Sequence, residues 1–126
     1  MKGHNNIIKY LVESGADINI INNSQYTALM YACENENYEI AKYLIDNNAN
    51  LDNRTSRNMT ELMISCQKGN FEISKYLVDH NADVNALDTD SYSPLIFACL
   101  SNNFDIIKLL IENKAYINVS NRSGFT

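Results

Sequence analysis

Hydrophobic positions in this chain recur on two scales. Within "YEIAKYLIDNNANLD", Tyr38 to Asp52, the residues Ile40, Tyr43 and Leu44 keep the i, i+3, i+4 spacing that lays an apolar stripe along one side of a helix. The stripe returns as Ile73, Tyr76 and Leu77 in "FEISKYLVDHNADVN", and as Ile106, Leu109 and Leu110 in "FDIIKLLIENKAYIN"; an earlier copy, "NNIIKYLVESGADIN", starts at Asn5. Ala16, Ala49, Ala82 and Ala115 set the longer scale, each 33 positions beyond the last with no insertion. A fixed period of that length predicts a stacked solenoid built from one supersecondary unit.

A second, shorter helical pattern precedes the stripe in each unit. It begins at "TALMYAC" (Thr27 to Cys33), "TELMISC" (Thr60 to Cys66) and "SPLIFAC" (Ser93 to Cys99). Thr27, Thr60 and Ser93 stand where a side-chain oxygen caps the first turn, and Pro94 falls at the first helical position, where its missing N–H costs nothing. The stripe helices end at Gly15, Asn48, Asn81 and Lys114. Gly and Asn tolerate the left-handed conformation that closes a helix, so a less regular stop is expected at Lys114. Helices of about seven to ten residues are too short to persist alone in water, so each must bury its stripe against its neighbours.

Composition narrows the classes. With 45% hydrophobic residues, 126 residues suffice for one core. No apolar run approaches the roughly 18 residues of a membrane span, and "MKGHNNIIKYLVESG" lacks the apolar region of a secretory leader, so an intracellular, cytoplasmic protein without membrane insertion is expected. The net charge of -5 and scattered Lys and Arg offer no basic field to nucleic acid. Cys33, Cys66 and Cys99 occupy one repeat position and suggest small buried thiols. Equivalent residues on stacked helices should lie about 8 to 10 Å apart. A zinc ion needs thiolates at about 2.3 Å, so the ladder predicts neither a metal site nor a disulfide.

The motifs "TALMYA", "TELMIS" and "SPLIFA", followed by "SGADIN", "NNANLD", "HNADVN" and "NKAYIN", resemble the ankyrin repeat, with its T-P-L-H-x-A-A start and G-A-D-V-N close. The resemblance covers essentially the whole chain. It implies an all-α solenoid of stacked helix-turn-helix units with turn or hairpin connections. On that register, 1–21 is the second half of a repeat, 22–54, 55–87 and 88–120 are full repeats, and 121–126, "NRSGFT", opens another. Gly3-His4 would then sit ahead of a second helix. Met30, Met63 and Ile96 replace the family's His, so its imidazole-to-threonine hydrogen bond cannot form. The middle repeat lacks both the turn Gly and the Pro, which predicts the least rigid link.

No catalytic set stands out. The histidines are His4 and His80, no nucleophile elbow or phosphate-binding loop occurs, and neither enzyme activity nor a cofactor is expected. Family members carry asparaginyl hydroxylation targets in a context matched by Asn19 and Asn85; the plainer role of these residues is tying down a turn. The resemblance implies instead a protein partner met by turn tips and exposed first-helix positions: Asn23, Ser24, Tyr26, Glu34 and Asn35; Ser56, Arg57, Met59, Gln67 and Lys68; Thr89, Asp90, Tyr92, Leu100 and Ser101. Tyr26, Met59 and Tyr92 share one repeat position, with Leu100 and Arg57 nearby, and aromatic residues, Met and Arg are typical interface anchors. Tyr26, Arg57, Met59, Tyr92, Leu100, Glu34, Lys68 and Asp90 are thus the candidate partner-binding residues. The expected function is protein–protein recognition within a larger scaffold or regulatory protein. The alternatives are an architectural spacer and the non-catalytic arm of an enzyme or channel, with self-association through exposed repeat ends also open.

Overall fold

Why these short segments become helices is visible at their ends. The computed structural model describes residues 2–118, with side chains from Asn5 onward. The described residues form α1 (Lys2–Glu13), α2 (Ala28–Glu34), α3 (Tyr38–Asp46), α4 (Glu61–Lys68), α5 (Phe71–Asp79), α6 (Pro94–Leu100) and α7 (Phe104–Glu112), with no strand among them. The opening "NRSGFT" lies outside the described residues. α1 runs through Gly3-His4, so that dipeptide starts a helix rather than preceding one.

The first helix of each unit is capped as its sequence suggests. Thr27, Thr60 and Ser93 accept from the backbone N–H of Met30, Met63 and Ile96 at 3.1, 3.2 and 3.3 Å. In the first two, the thioether stands in for the missing imidazole. Met30 Sδ accepts from Thr27 N–H, and Met63 Sδ from Thr60 N–H, each at 3.5 Å. Sulfur is a weak acceptor, but it closes the reciprocal capping box that an imidazole would close. Ile96 has no acceptor, and there Pro94 occupies the first helical position.

The second helices have caps of their own. Asn37, Asn70 and Asn103 accept from the N–H of Ile40, Ile73 and Ile106 at 3.3, 2.9 and 3.0 Å. At the other end Gly15, Asn48, Asn81 and Lys114 all take positive φ, 92°, 66°, 70° and 71°. The stop at Lys114 is therefore regular. Ala115 N–H reaches Leu110 O at 3.0 Å just as Ala82 N–H reaches Leu77 O, and buried Ala115 anchors the closure against the cost of a left-handed lysine.

Between units the chain makes a tight tip. Asn22 Oδ1 accepts from Ser24 and Tyr26 N–H, Thr55 Oγ1 from Arg57 and Met59 N–H, and Asp88 Oδ1 from Asp90 and Tyr92 N–H. The position that favours glycine holds Gln25, Asn58 and Ser91 at φ 63°, 62° and 65°. The missing glycine thus leaves the middle tip undistorted.

Packing follows the period. α2, α4 and α6 stack in one layer, α1, α3, α5 and α7 in the other, and each first helix also packs on the second helix of its unit. Leu29, Leu44, Leu62, Leu77 and Leu110 are fully buried between the layers. Cys33 and Cys66 are buried with them, whereas Cys99 is exposed, contrary to the common position the three share. Among the described residues no helix stacks beyond α6, so that face of the last unit stays uncovered.

Candidate functional site

The tips and the outer turns of α2, α4 and α6 carry the residues proposed from sequence. Tyr26 is half-buried and its ring leans on Tyr31, centroids 5.0 Å apart at 44°; Tyr31 Oη accepts from Asn22 Nδ2 at 2.6 Å. Burial first, then Glu34 and Tyr31, raise the Tyr26 phenol above its ordinary pKa. Two units on, Tyr92 repeats the arrangement on Phe97 at 5.4 Å. Between them the row changes character. Met59 is only 8% exposed and belongs to the core, so it is corrected from surface anchor to packing residue. Its unbranched side chain turns inward to fill the space under the tip, leaving Tyr26 and Tyr92 to reach the surface. Leu100 is 57% exposed, at the position held by Glu34 and Gln67 in the preceding units.

The charged members of the row face each other. Arg57 pairs with Asp90 at 3.5 Å across the second and third tips, and Lys68 pairs with Glu34 at 3.4 Å across α4 and α2. The tips are further joined by Thr89 N–H to Arg57 O at 3.1 Å. Four of the eight candidates therefore neutralise one another, and the apolar side chains left at the surface are exposed Tyr31 and Leu100 with half-buried Tyr26 and Tyr92. Tyr31, 46% exposed, was missed in the sequence. Its signal was Tyr31, Ile64 and Phe97 at one repeat position, each five residues beyond a member of the Tyr26 row.

Little here suits covalent chemistry. Burial raises the Cys33 thiol well above its usual range and pushes Cys66 up to about 12, so neither is a ready nucleophile. The described residues hold no group of three or more His, Cys, Asp or Glu placed to bind a metal ion. His80 stacks on Tyr76 at 4.4 Å, its Nδ1 2.8 Å from Tyr76 O. Asn19 and Asn85 act as fasteners: Asn19 Oδ1 accepts from Asn50 N–H and Asn85 Oδ1 from Tyr116 N–H, both at 2.8 Å, each joining one loop to the next.

Both ends of the stack carry clefts. One of about 710 Å³ opens beside Ile7, Ile8, Tyr31 and Ile40, and one of about 480 Å³ beside Leu95, Ile107 and Ile111. No described helix is long and apolar enough to cross a membrane.

Comparison with known proteins agrees with the stacking. A family model for ankyrin repeats in three copies matches residues 1–55 and 47–121. A protein of Oryza sativa subsp. japonica, named as the probable E3 ubiquitin-protein ligase XBOS33, is 46% identical over 39 residues, 31% of this chain and 8% of that protein. The matched stretch is thus a small fraction of the relative's length.

Proposed function

Because the chain belongs to the ankyrin-repeat family, whose repeats are generally protein–protein interaction modules and typically non-catalytic, we propose that it recognises a protein through the row of tips and first-helix positions. The repeats 22–54, 55–87 and 88–120 act as units of one array, and the parent is a larger intracellular scaffold or regulatory protein. One observation carries the reading: Arg57 with Asp90 and Glu34 with Lys68 satisfy each other, while Tyr31 and Leu100 expose uncharged surface and Tyr26 and Tyr92 stay half-exposed on their neighbouring rings. Aromatic anchors amid paired polar groups gain from desolvation without leaving a buried unpaired charge. The stacked helices hold these side chains in place before binding, which lowers the ordering cost.

The test compares the wild-type chain with a Tyr26→Ala, Tyr31→Ala, Tyr92→Ala, Leu100→Ala variant whose helical circular dichroism and unfolding midpoint remain close to wild type. Met59 is left intact because its truncation would damage the core. A protein captured from source-cell lysate by the wild type, confirmed by direct titration and weakened tenfold or more by the variant, supports this face. Equal affinity of the two chains rejects it. A second reading follows from the rice relative's name: the array is a non-catalytic arm that brings a substrate to an enzyme domain elsewhere in its parent. Modification of the captured protein by the parent would favour that version.

A further inference from the structure

Glu61 opens α4 with a side chain only 1% exposed, and neither carboxyl oxygen has a hydrogen-bond partner outside its own residue. The flanking units put Ala28 and Pro94 at this position. We infer that Glu61 makes the middle unit a pH-sensitive link in the stack: a neutral carboxyl keeps α4 docked, and ionisation favours opening of that unit.

The surroundings of the carboxyl explain why charge is unwelcome. α4 packs against α2, α5 and α6. On α2 the buried Cys33 thiol feels the Glu61 charge, which opposes its ionisation, while Glu34 at the far end is paired with Lys68. α5 buries only Ser74 among its polar residues, its Glu72, Lys75 and Asp79 being exposed, and α6 brings no titratable side chain but exposed Cys99. The loop before α4 supplies Asp52, which repels a carboxylate, and Arg54, which attracts it. Arg54 is already engaged, its Nη1 donating to Asn58 O and Leu87 O at 3.3 Å each. Desolvation dominates, with its own backbone N–H pulling weakly the other way, and the acid is pushed up to about 8.

The loop before α4 is tied to the next one by groups other than an Asn at the Asn19 position. Asn19 and Asn85 bridge loops on either side of it, whereas here Arg54 Nη1 and Asn58 Nδ2 donate to Leu87 O at 3.3 and 3.0 Å, and Asn53 buries an Nδ2 with no acceptor.

In the unfolded chain Glu61 releases its proton near its ordinary 4.5, whereas the folded chain keeps it up to about 8. Between those values the unfolded state binds fewer protons, so stability falls as pH rises and levels off above the upper one. Urea unfolding of the full chain from pH 6 to pH 9, against Glu61→Gln and Glu61→Ala, measures this. The wild-type unfolding constant is expected to rise about a hundredfold relative to either variant over that range. Carboxyl carbon-13 shifts should show one glutamate titrating near 8, absent in Glu61→Gln. Labelling of buried Cys66, located by peptide mass mapping, should accelerate with pH more in wild type than in Glu61→Gln. The Ala variant keeps the comparison valid if Gln misfolds, since Ala28 already occupies this position. Parallel unfolding curves, a Glu61 midpoint in the ordinary carboxylate range, or equal acceleration at Cys66 would each overturn the inference.

Discussion

The middle and last units share one backbone and differ in what they bury. At equivalent positions α4 and α5 place Glu61, Ser65 and Ser74 where α6 and α7 place Pro94, Ala98 and Ile107. Ser65 and Ser74 are fully buried and solve their polarity locally: their hydroxyls lie 2.8 Å apart, and Ser65 also donates to Leu62 O at 3.0 Å. Glu61 has no such partner. The contrast shows that a solenoid tolerates a polar interior where the groups satisfy each other within one unit. Where they do not, stability depends on protonation.

Three comparisons of variants sharpen the contrast. The largest effect should come from apolar packing: Leu62→Ala removes a side chain covered by both neighbouring first helices and is expected to cost about 3 kcal/mol. Leu95→Ala, on a helix covered by one such neighbour, should cost visibly less in the same urea titration. Equal losses would mean that the last unit is as tightly packed as the middle one. Next, Ser65→Ala leaves the Ser74 hydroxyl without its main partner and should cost about 1 to 2 kcal/mol. The Ser65→Ala, Ser74→Ala double variant, which approaches the apolar pattern of the last unit, should lose clearly less than the sum of the two single changes. Additive losses would show that the hydroxyl pair is not a unit. The smallest effect tests the helix stops: Lys114→Gly relieves a left-handed lysine and should gain about 0.5 to 1 kcal/mol, whereas Asn81→Gly gains only a few tenths. A loss at Lys114 would mean that its side chain contributes more than its backbone costs.

Much of this architecture is legible because each unit restates it. The stripe spacing, the Thr and Ser caps and the 33-residue step fixed helix positions, since a helix start depends on local chemistry that one residue type announces. What escaped notice depends on contacts that only stacking makes. The regular stop at Lys114 is imposed by closure bonds and the burial of Ala115, against local propensity. The thioether caps arise because Met30 and Met63 curl back toward Thr27 and Thr60, a geometry residue identity does not reveal. Met59 looked like its row-mates and turned inward. Tyr31 sits inside an apolar helix pattern, which reads as core. In the middle unit the sequence drew attention to a missing Gly and Pro, yet Asn58 serves the turn well, and Glu61 in place of Pro is the change with energetic consequence.

The ion pairs on the proposed face bear on how fast a partner arrives. Arg57 and Lys68 spend their fields on Asp90 and Glu34, leaving dipoles that fade within a few ångströms of the surface. A partner of low net charge would then meet no long-range guidance. Its association rate constant is expected near the unsteered 10⁵ to 10⁶ M⁻¹ s⁻¹, roughly. Added salt should change that rate little, so differences in affinity among partners would be written in how long each stays bound.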